Sequence, residues 1–406
     1  KVFTYISKYQ RVKDPLGGAH RKMNPKRNNK KEVNKSFEKS DLPKYPYFDI
    51  EKMANDLLKW VEPNKKEPEN KEPEKKKDRI RKSYPQNWTA YNEAQSLEKI
   101  YLMNFLNELL DYIPFPERKS VGRKPVALRE KIFYLTLQAY NIKSSRRCIS
   151  DLELAKRLGF INKTPHFNTI LKCMKDSTLI TYFKHLINVS GLPLQQIETD
   201  FAVDSSGFST SQFDRWFDVR LGANSDKRRF RKCHITCGVK TNIITAINIT
   251  RGYDADSPQF KDLVLDTKRV YDIKEVSADK AYSSRENLST VSKIGGIAYI
   301  PFKKNITGKR RGEFLLWGRM YRYYLNHQEE FMQHYHKRSN VETCFHMLKT
   351  KFGKHLRSRN VNGQENEIMA KCLAHNLCVL TQELFELGID VDFEKCANIE
   401  IAHKHN

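Results

Sequence analysis

The chain has 406 residues, enough for two or three domains with a sizeable core. It has 73 lysine and arginine residues against 48 aspartate and glutamate residues, so the formal charge is +25. An excess of this size points to a polyanionic partner, above all nucleic acid. No membrane span or signal peptide is expected, because no apolar run approaches about 20 residues. The eight cysteines form no Cys-x-x-Cys pair, so structural zinc is not indicated, and reduced thiols suggest the cytosol.

The first 82 residues are predicted to lack a core of their own. Residues 1–46 are rich in lysine, arginine, asparagine and glycine, which indicates a mobile basic arm. A short amphipathic helix over residues 49–61 precedes a repeat of Glu-Pro and lysine. Proline and charge at that density cannot build a core, so residues 47–82 are interpreted as a short helix and an extended linker.

Residues 83–192 have the apolar periodicity of a helical, DNA-binding region. Two of its helices are predicted on either side of Gly159, the first capped by Ser150 and the second by Thr164. This pattern is similar to a helix-turn-helix, although an ordinary helical hairpin has the same pattern. In a helix-turn-helix the second helix enters the major groove of DNA. The predicted DNA-contacting residues of this region are Arg146, Arg147, Asn168, Thr169 and Lys172.

From residue 196 the pattern changes to alternating strands and helices. The strands are predicted at residues 197–204, 233–239, 243–249, 273–279 and 296–301. Helices are predicted at residues 257–271, 283–292, 320–352 and 367–387. The order β-β-β-α-β-α-β-α matches an α/β, ribonuclease-H-like fold, which is a mixed sheet with flanking helices. We expect a catalytic domain over residues 193–355 and a C-terminal helical extension over residues 356–406.

Three acids stand where this fold would bring them together. Asp204 ends the first strand and Asp279 ends the fourth strand, and these two strands are neighbours in the sheet of this fold. Glu342 lies on the late helix. Magnesium prefers hard oxygen ligands, and a pair of magnesium ions can drive phosphoryl transfer on DNA. We therefore expect Asp204 and Asp279 to share one ion and Glu342 to hold the second.

Nearby acids are interpreted as structural. Asp200 lies about 13 Å from Asp204 along the same strand, which is too far to share a metal ion. Asp272 precedes its strand and would lie at the opposite edge of the sheet. Asp254 and Asp256 precede the helix at residue 257 and are expected to cap it.

Around the third acid the chain has the spacing Tyr335-x2-Arg338-x3-Glu342-x6-Lys349. On a helix these four residues fall within a stripe roughly 60° wide. An exposed helix with an ion pair would explain Arg338 and Glu342 alone. The full spacing resembles the signature of DDE transposases from bacterial and archaeal insertion sequences. The resemblance covers roughly residues 84–387.

This resemblance implies a DNA transposase that cleaves the ends of an insertion sequence and joins the freed 3′-hydroxyl to target DNA, in a cut-and-paste reaction. It implies that Asp204, Asp279 and Glu342 form a triad for two Mg²⁺ ions, which Mn²⁺ could replace. Arg338 and Lys349 would contact phosphates, and Tyr335 would stack or hydrogen-bond beside them. The implied partners are DNA and, in the complex that pairs two ends, a second copy of the chain. The implied location is the cytoplasm of a prokaryote, at the nucleoid.

Two basic loops are predicted to line the active cleft. One lies between the first two strands and the other follows the fifth strand. Aromatic or glycine residues interleave each cluster, which favours DNA contact, while a solubilising charged loop is the alternative. The residues expected to contact DNA here are Lys227, Arg228, Arg229, Lys303 and Lys304.

Two other functions fit part of the pattern. A domesticated, non-cleaving DNA-binding regulator would typically have lost a triad acid, whereas all three acids are present. A ribonuclease-H-like metal nuclease would need neither the helix-turn-helix pattern nor the four-residue spacing. Strand-joined products would separate the transposase from the nuclease, and binding without metal-dependent cleavage would indicate the regulator.

Overall fold

The computed structural model describes residues 87–116, 125–210, 230–303 and 315–394, and all of them belong to one compact unit. The basic arm and the linker predicted within residues 1–82 lie outside the described residues. The first part of the described chain is helical, as the periodicity predicts. Its helices are α1 (Trp88–Tyr112), α2 (Leu128–Asn141), α3 (Ser145–Arg157), α4 (Phe167–Met174) and α5 (Leu179–Val189).

The cap of helix α3 lies six residues before the predicted cap, Ser150, so that prediction is wrong. Ser144 is the capping residue, and its hydroxyl accepts a hydrogen bond from the N–H of Arg147 at 3.4 Å. Ser150 lies inside the helix. The earlier start places Cys148 in the core, which stabilises the first turn through burial. The predicted end is confirmed, because Gly159 has φ +85°, a left-handed conformation that glycine adopts without strain.

Helix α4, in contrast, begins later than predicted. His166 is its capping residue and accepts from the N–H of Asn168 at 3.3 Å. Thr164 was expected to be the cap, but its hydroxyl donates to the carboxylate of Glu153 on α3 at 2.5 Å. That bond holds the connection against α3 and leaves the capping position to the next polar residue.

One five-stranded mixed sheet follows, in the order β3-β2-β1-β4-β5. β2 is antiparallel to β1 and β3, whereas β1, β4 and β5 are parallel. This confirms the predicted order of elements, and with its flanking helices the sheet fits a ribonuclease-H-like domain. The strands are β1 (Asp200–Ser209), β2 (Phe230–Gly238), β3 (Ile244–Arg251), β4 (Glu275–Ala278) and β5 (Ile297–Tyr299).

The prediction of one continuous helix over residues 320–352 is wrong. Three helices occupy the region, and a 3₁₀ turn at His336–Arg338 separates the last two. A 3₁₀ turn also places residues three apart on one face, so the sequence pattern did not reveal the break. No described helix is both long and apolar enough to cross a membrane. The helices from β3 onwards are α6 (Phe260–Lys268), α7 (Arg285–Lys293), α8 (Leu315–Asn326), α9 (Gln328–Tyr335), α10 (Ser339–Phe352) and α11 (Val361–Leu387).

Helix α11 is the centre of the packing. Nearly all of its residues from Gly363 to Thr381 are buried. It packs against α1, α2 and α5 on one side and against β2 and β3 on the other. The helical region and the sheet therefore share one hydrophobic core. The domain boundary expected near residue 193 stays a prediction.

The cysteines within the described ranges are buried and free. Cys233 and Cys237 lie on the same face of β2, and Cys344 of α10 is close enough to Cys237 to interact with it. Cys233 and Cys237 are therefore thiols of the hydrophobic core.

Candidate active site

Asp204 and Asp279 lie on the two neighbouring strands at the centre of the sheet. β1 and β4 are parallel, and their register pairs Val203 with Ala278. Asp204 directly follows Val203, and Asp279 directly follows Ala278. Neighbouring strands are about 4.8 Å apart, which brings the two acids together where β4 ends. The carboxylate of Asp279 accepts a hydrogen bond from the N–H of Lys280 at 2.7 Å. The expectation that these two strands are neighbours is confirmed.

The guanidinium of Arg338 joins Asp204 to Glu342. Nη1 donates to Oδ2 of Asp204 at 2.9 Å, and Nη2 donates to Oε1 of Glu342 at 2.5 Å. The 3₁₀ turn supplies Arg338, and the first turn of α10 supplies Glu342, four residues later. The Glu342 side chain is 58% exposed and that of Asp204 is 22% exposed, so the network opens to solvent on the side of Glu342.

Negative charge accumulates around Asp204. Burial raises the pKa of its carboxyl above the usual range, and repulsion from Asp279 and Glu342 raises that pKa further. The N–H of Ser205, 2.8 Å from Oδ1, and the charge of Arg338 offset part of the rise. The three acids therefore interact electrostatically, and a further cation among them would be stabilised.

Tyr335 and Lys349 contact different neighbours of the acids. The ring centroid of Tyr335 is 5.8 Å from Cζ of Arg338, which is within the range of a cation–π contact. Lys349 instead donates to the hydroxyl of Ser206, two residues beyond Asp204 on β1, at 2.5 Å. Burial lowers the pKa of Lys349. The structure thus brings Tyr335 to Arg338 and Lys349 to β1, two residues beyond Asp204.

Lys337 was not predicted, although it positions the site. Its Nζ donates to Asp200 and to Glu275, both at 2.7 Å, and these acids face each other across β1 and β4. The ion pairs tie the 3₁₀ turn to the starts of both strands, and Arg338 is the next residue. Asp200 is therefore structural, as expected. Lys337 lies off the predicted stripe, so no sequence signal singled it out.

Asp256 is a second residue whose role the sequence did not show. The prediction that it caps the following helix is wrong, because its side chain makes no capping hydrogen bond. Its carboxylate accepts from the hydroxyl of Ser205 at 2.7 Å and pairs with Lys232 at 2.6 Å. Ser205 follows Asp204 and points to the opposite face of the sheet. Asp256 therefore supports β1 from behind the acids.

The donor chemistry of Asp204, Asp279 and Glu342 fits a magnesium site, because all three offer hard carboxylate oxygens. Within the described ranges, however, no three carboxylate, imidazole or thiol groups have the spacing of a metal site. Arg338 accounts for this at Asp204 and Glu342, since its guanidinium occupies the space between them. The arrangement is an ion-pair network that already holds two of the acids together.

The family to which this site belongs follows from a comparison with known protein families. Residues 195–377 match the model of the transposase DDE domain. The chain contains a transposase DDE domain. The matched segment includes all five strands and α10, and the family implies a phosphoryl-transfer nuclease that uses divalent metal ions. No solved structure matches the chain.

The helical region that precedes the DDE domain presents the predicted groove-reading residues to solvent. Asn168 and Lys172 are exposed on α4, and Thr169 is half-buried. Arg146, in the first turn of α3, lies with Cζ 4.6 Å from the ring centroid of Phe167, which brings the starts of the two helices together. The connection between them is longer than the three or four residues of a typical helix-turn-helix. The predicted binding of DNA by this region therefore depends on the exposed face of α4 rather than on a short turn between the helices.

The remaining predicted DNA contacts are less fully placed. Arg147 is exposed beside Arg146 in the first turn of α3. Lys303 is exposed four residues after β5 of the DDE domain. The others lie outside the described residues, namely Lys227, Arg228, Arg229 and Lys304.

His234 of the DDE domain leads to a prediction about pH. Its side chain is fully buried, and burial lowers its pKa from 6.5 to about 4, with Asp256 opposing the shift and Lys232 adding to it. Between these values the unfolded chain is protonated here and the folded protein is not, so stability falls as the pH drops from about 6.5 to 4. At about 1.4 kcal/mol per pH unit, we expect a loss of about 3 kcal/mol by pH 4.

The measurement is denaturant unfolding at several pH values for the wild type, His234→Gln and His346→Gln. His346 is an exposed histidine of α10 and serves as the matched control. The wild type and His346→Gln should lose stability in parallel on acidification, whereas His234→Gln should lose about 3 kcal/mol less. Parallel curves for all three proteins would contradict the assignment of this proton to His234.

Proposed function

We propose that the chain is a DNA transposase that cuts at the ends of an insertion sequence and joins the freed 3′-hydroxyl to target DNA, by a cut-and-paste route. The observation that carries this proposal is the convergence of Asp204, Asp279 and Glu342 within a transposase DDE domain. A structural ion pair would need one acid for Arg338, whereas here three acids influence one another around it.

Asp204, Asp279 and Glu342 would hold two Mg²⁺ ions, which supply an activated nucleophile and stabilise the leaving oxygen. Arg338 now pairs with two carboxylates, and a guanidinium matches phosphate oxygens equally well. A phosphate of the cleaved strand would therefore take the place of one carboxylate at Arg338. The ring of Tyr335 lies beside that phosphate position and would support it.

The rest of the chain would bind and align the DNA. We propose that residues 83–192 recognise the transposon ends, that residues 193–355 form the catalytic domain and that residues 356–406 extend it. Lys349 would contact a phosphate next to the cleaved one, because it reaches β1 two residues beyond Asp204. Pairing two ends requires two active sites, so the working complex would be a homodimer.

The test uses labelled duplexes taken from the DNA that flanks the gene, with Mg²⁺ or with a chelator. Asp279→Asn is compared with Asp272→Asn, because Asp272 is an exposed acid just before β4, at the opposite edge of the sheet, and pairs with Lys268. Cleavage and strand-joined products that require both Mg²⁺ and Asp279, but not Asp272, would support the proposal. Cleavage without joining would indicate a nuclease, and binding without cleavage by the wild type would indicate a regulator.

A further inference from the structure

A cavity of about 940 Å³ lies between the helical region and the turn that follows α10. The end of α2, the start of α3 and the end of α4 line one side, and residues 352–360 with the start of α11 line the other. Thr210, just after β1, completes the lining at the sheet. We call this cavity the basic cleft. It contains none of the three acids of the active site.

The lining of the basic cleft is strongly cationic. Its only acid within the described ranges, Glu367, accepts hydrogen bonds from the N–H groups of Arg357 and Ser358 and pairs with Lys371 at 3.3 Å. That carboxylate is therefore fully used in holding the turn. The cationic residues of the lining are Lys143, Lys175, Arg357, Arg359 and Lys371.

Three of these cations, Lys175, Arg357 and Arg359, pair with no carboxylate in the described part of the chain. Lys143, in contrast, pairs with Asp151 at 2.9 Å, and the side chains of both arginines are exposed. Nδ1 of His355, also in the lining, is buried without a hydrogen-bond partner. Uncompensated guanidinium groups in a concave surface suit phosphate oxygens.

β1 leads from the active site to the basic cleft. Asp204 and Thr210 are six residues apart, which is about 20 Å in an extended strand. α10 follows the same course, since Arg338 at its start contacts Asp204 and His355, just after its end, pairs with the end of β1. Lys349 reaches β1 between these two points. Cations therefore follow the strand from the acids to the cleft.

We propose that the basic cleft binds the phosphate backbone of the DNA strand that leads away from the active site. A strand advances about 3.4 Å per nucleotide, so 20 Å places the contacted phosphates about six nucleotides from the cleaved one. The inference rests on the proposed function for the identity of the DNA. The charge, the shape and the unpaired arginines of the cleft are independent of it.

The test compares two double variants that each remove two positive charges. Arg357→Ala with Arg359→Ala removes the two arginines of the cleft that pair with no carboxylate in the described part of the chain, and it leaves Lys175 in place. Arg269→Ala with Lys293→Ala is the matched control, because these exposed residues follow or end α6 and α7 and lie where β4 and β5 begin, at the edge of the sheet away from Asp279. All four side chains are exposed, so both variants should keep the melting temperature of the wild type.

The readout is the affinity for a duplex long enough to span both sites, measured against salt concentration without divalent metal. Each lost phosphate contact lowers the slope of log affinity against log salt by about 0.9, so the cleft variant should lose about 1.8. Between about 50 and 200 mM salt its affinity should then fall about tenfold less than that of the wild type. The control variant should keep the slope of the wild type.

Equal slopes in the two double variants would overturn the inference. Because no cleavage is needed, this result is separate from the test of the proposed function. If the protein binds DNA through the cleft but never cleaves it, the proposed transposase function is wrong and the inference about the cleft is supported. If the protein cleaves DNA normally but the two double variants have equal slopes, the proposed function is supported and the inference about the cleft is wrong.

Discussion

Glu342→Gln is expected to abolish metal-dependent DNA cleavage while the protein stays folded. Glutamine keeps the length and shape of the side chain but removes the negative charge that a divalent ion requires. Its amide oxygen can still accept a hydrogen bond from Arg338. We expect the cleavage rate to fall on the order of a thousandfold or more, as for the loss of one essential catalytic group.

The fold should tolerate this change because Glu342 contributes little to stability. Its side chain is 58% exposed, and its pair with Arg338 is a local one between residues four apart. Exposed pairs of this kind contribute about 0.5 kcal/mol or less. Arg338 also keeps its second partner, Asp204. The free energy of unfolding should therefore change by less than about 0.5 kcal/mol.

Single-turnover cleavage of a duplex containing the transposon end measures the effect, with DNA affinity and unfolding measured beside it. The matched control is Glu329→Gln, an exposed glutamate in the first turn of α9. Loss of cleavage in Glu342→Gln alone would place Glu342 in the catalytic machinery. Normal cleavage by Glu342→Gln would mean that the active site lies elsewhere, and equal losses would show that net charge rather than position matters.

The sequence was sufficient to predict the convergence of the acids because simple geometry determines it. The prediction that Asp204 ends the first strand is wrong, because β1 continues to Ser209 through its pairing with β2. The acids still meet, since β1 and β4 are parallel neighbours and Asp279 follows β4 at the level of Asp204. Residues four apart on a helix lie on one face, which placed Arg338 beside Glu342. Both relations depend on local periodicity and strand order, and the structure confirms the neighbouring strands and the pair.

Contacts between distant segments could not be predicted in the same way. Asp256 meets Ser205 and Lys232, which are far from it in sequence and lie on two different strands. The role of Lys337 could not be predicted for a related reason. It depends on ion pairs with two acids, at the starts of β1 and β4, that are distant in sequence. A charged residue has the same local pattern whether it is solvated or paired, so only the packed fold distinguishes the two.

The basic cleft shows the same limit on a larger scale. Arg357 and Arg359 follow the predicted long helix without any periodicity of their own. Lys143 and Lys175 lie in the helical region, about two hundred residues earlier in the chain. Only the shared core around α11 brings these segments to opposite walls of one cavity.

Asn376→Asp is expected to destabilise the fold by about 3–5 kcal/mol, because Asn376 joins three elements inside the core. Its side chain is fully buried on α11. Oδ1 accepts from the N–H of Ile244 at 2.9 Å, where β3 begins, and Nδ2 donates to the carbonyl of the same residue at 2.7 Å. Nδ2 also reaches the carbonyl of Ile187 at 3.2 Å and the hydroxyl of Ser190 at 2.9 Å, at the end of α5.

Aspartate has the shape of asparagine, so this variant leaves no cavity and isolates the hydrogen bonds. The donor group becomes an oxygen that faces two carbonyl oxygens. Each buried polar group left without its partner costs about 1–3 kcal/mol, and a buried carboxylate adds the cost of its own charge or of taking up a proton. Several such losses at one position give the expected total, which is near the upper limit for a single substitution.

Denaturant unfolding of Asn376→Asp beside Gln382→Ala provides the measurement. Gln382 lies six residues further along α11, is only half-buried and bonds to Glu386 of the same helix, so its loss should cost less than about 1 kcal/mol. The loss at Asn376 should also shrink at low pH, because a protonated aspartate regains one donor. Equal and small losses in both variants would mean that the sheet and the helical region are held together by apolar packing alone. A large, pH-dependent loss of stability in Asn376→Asp alone would show that the hydrogen bonds of this side chain hold the helical region in place against the sheet.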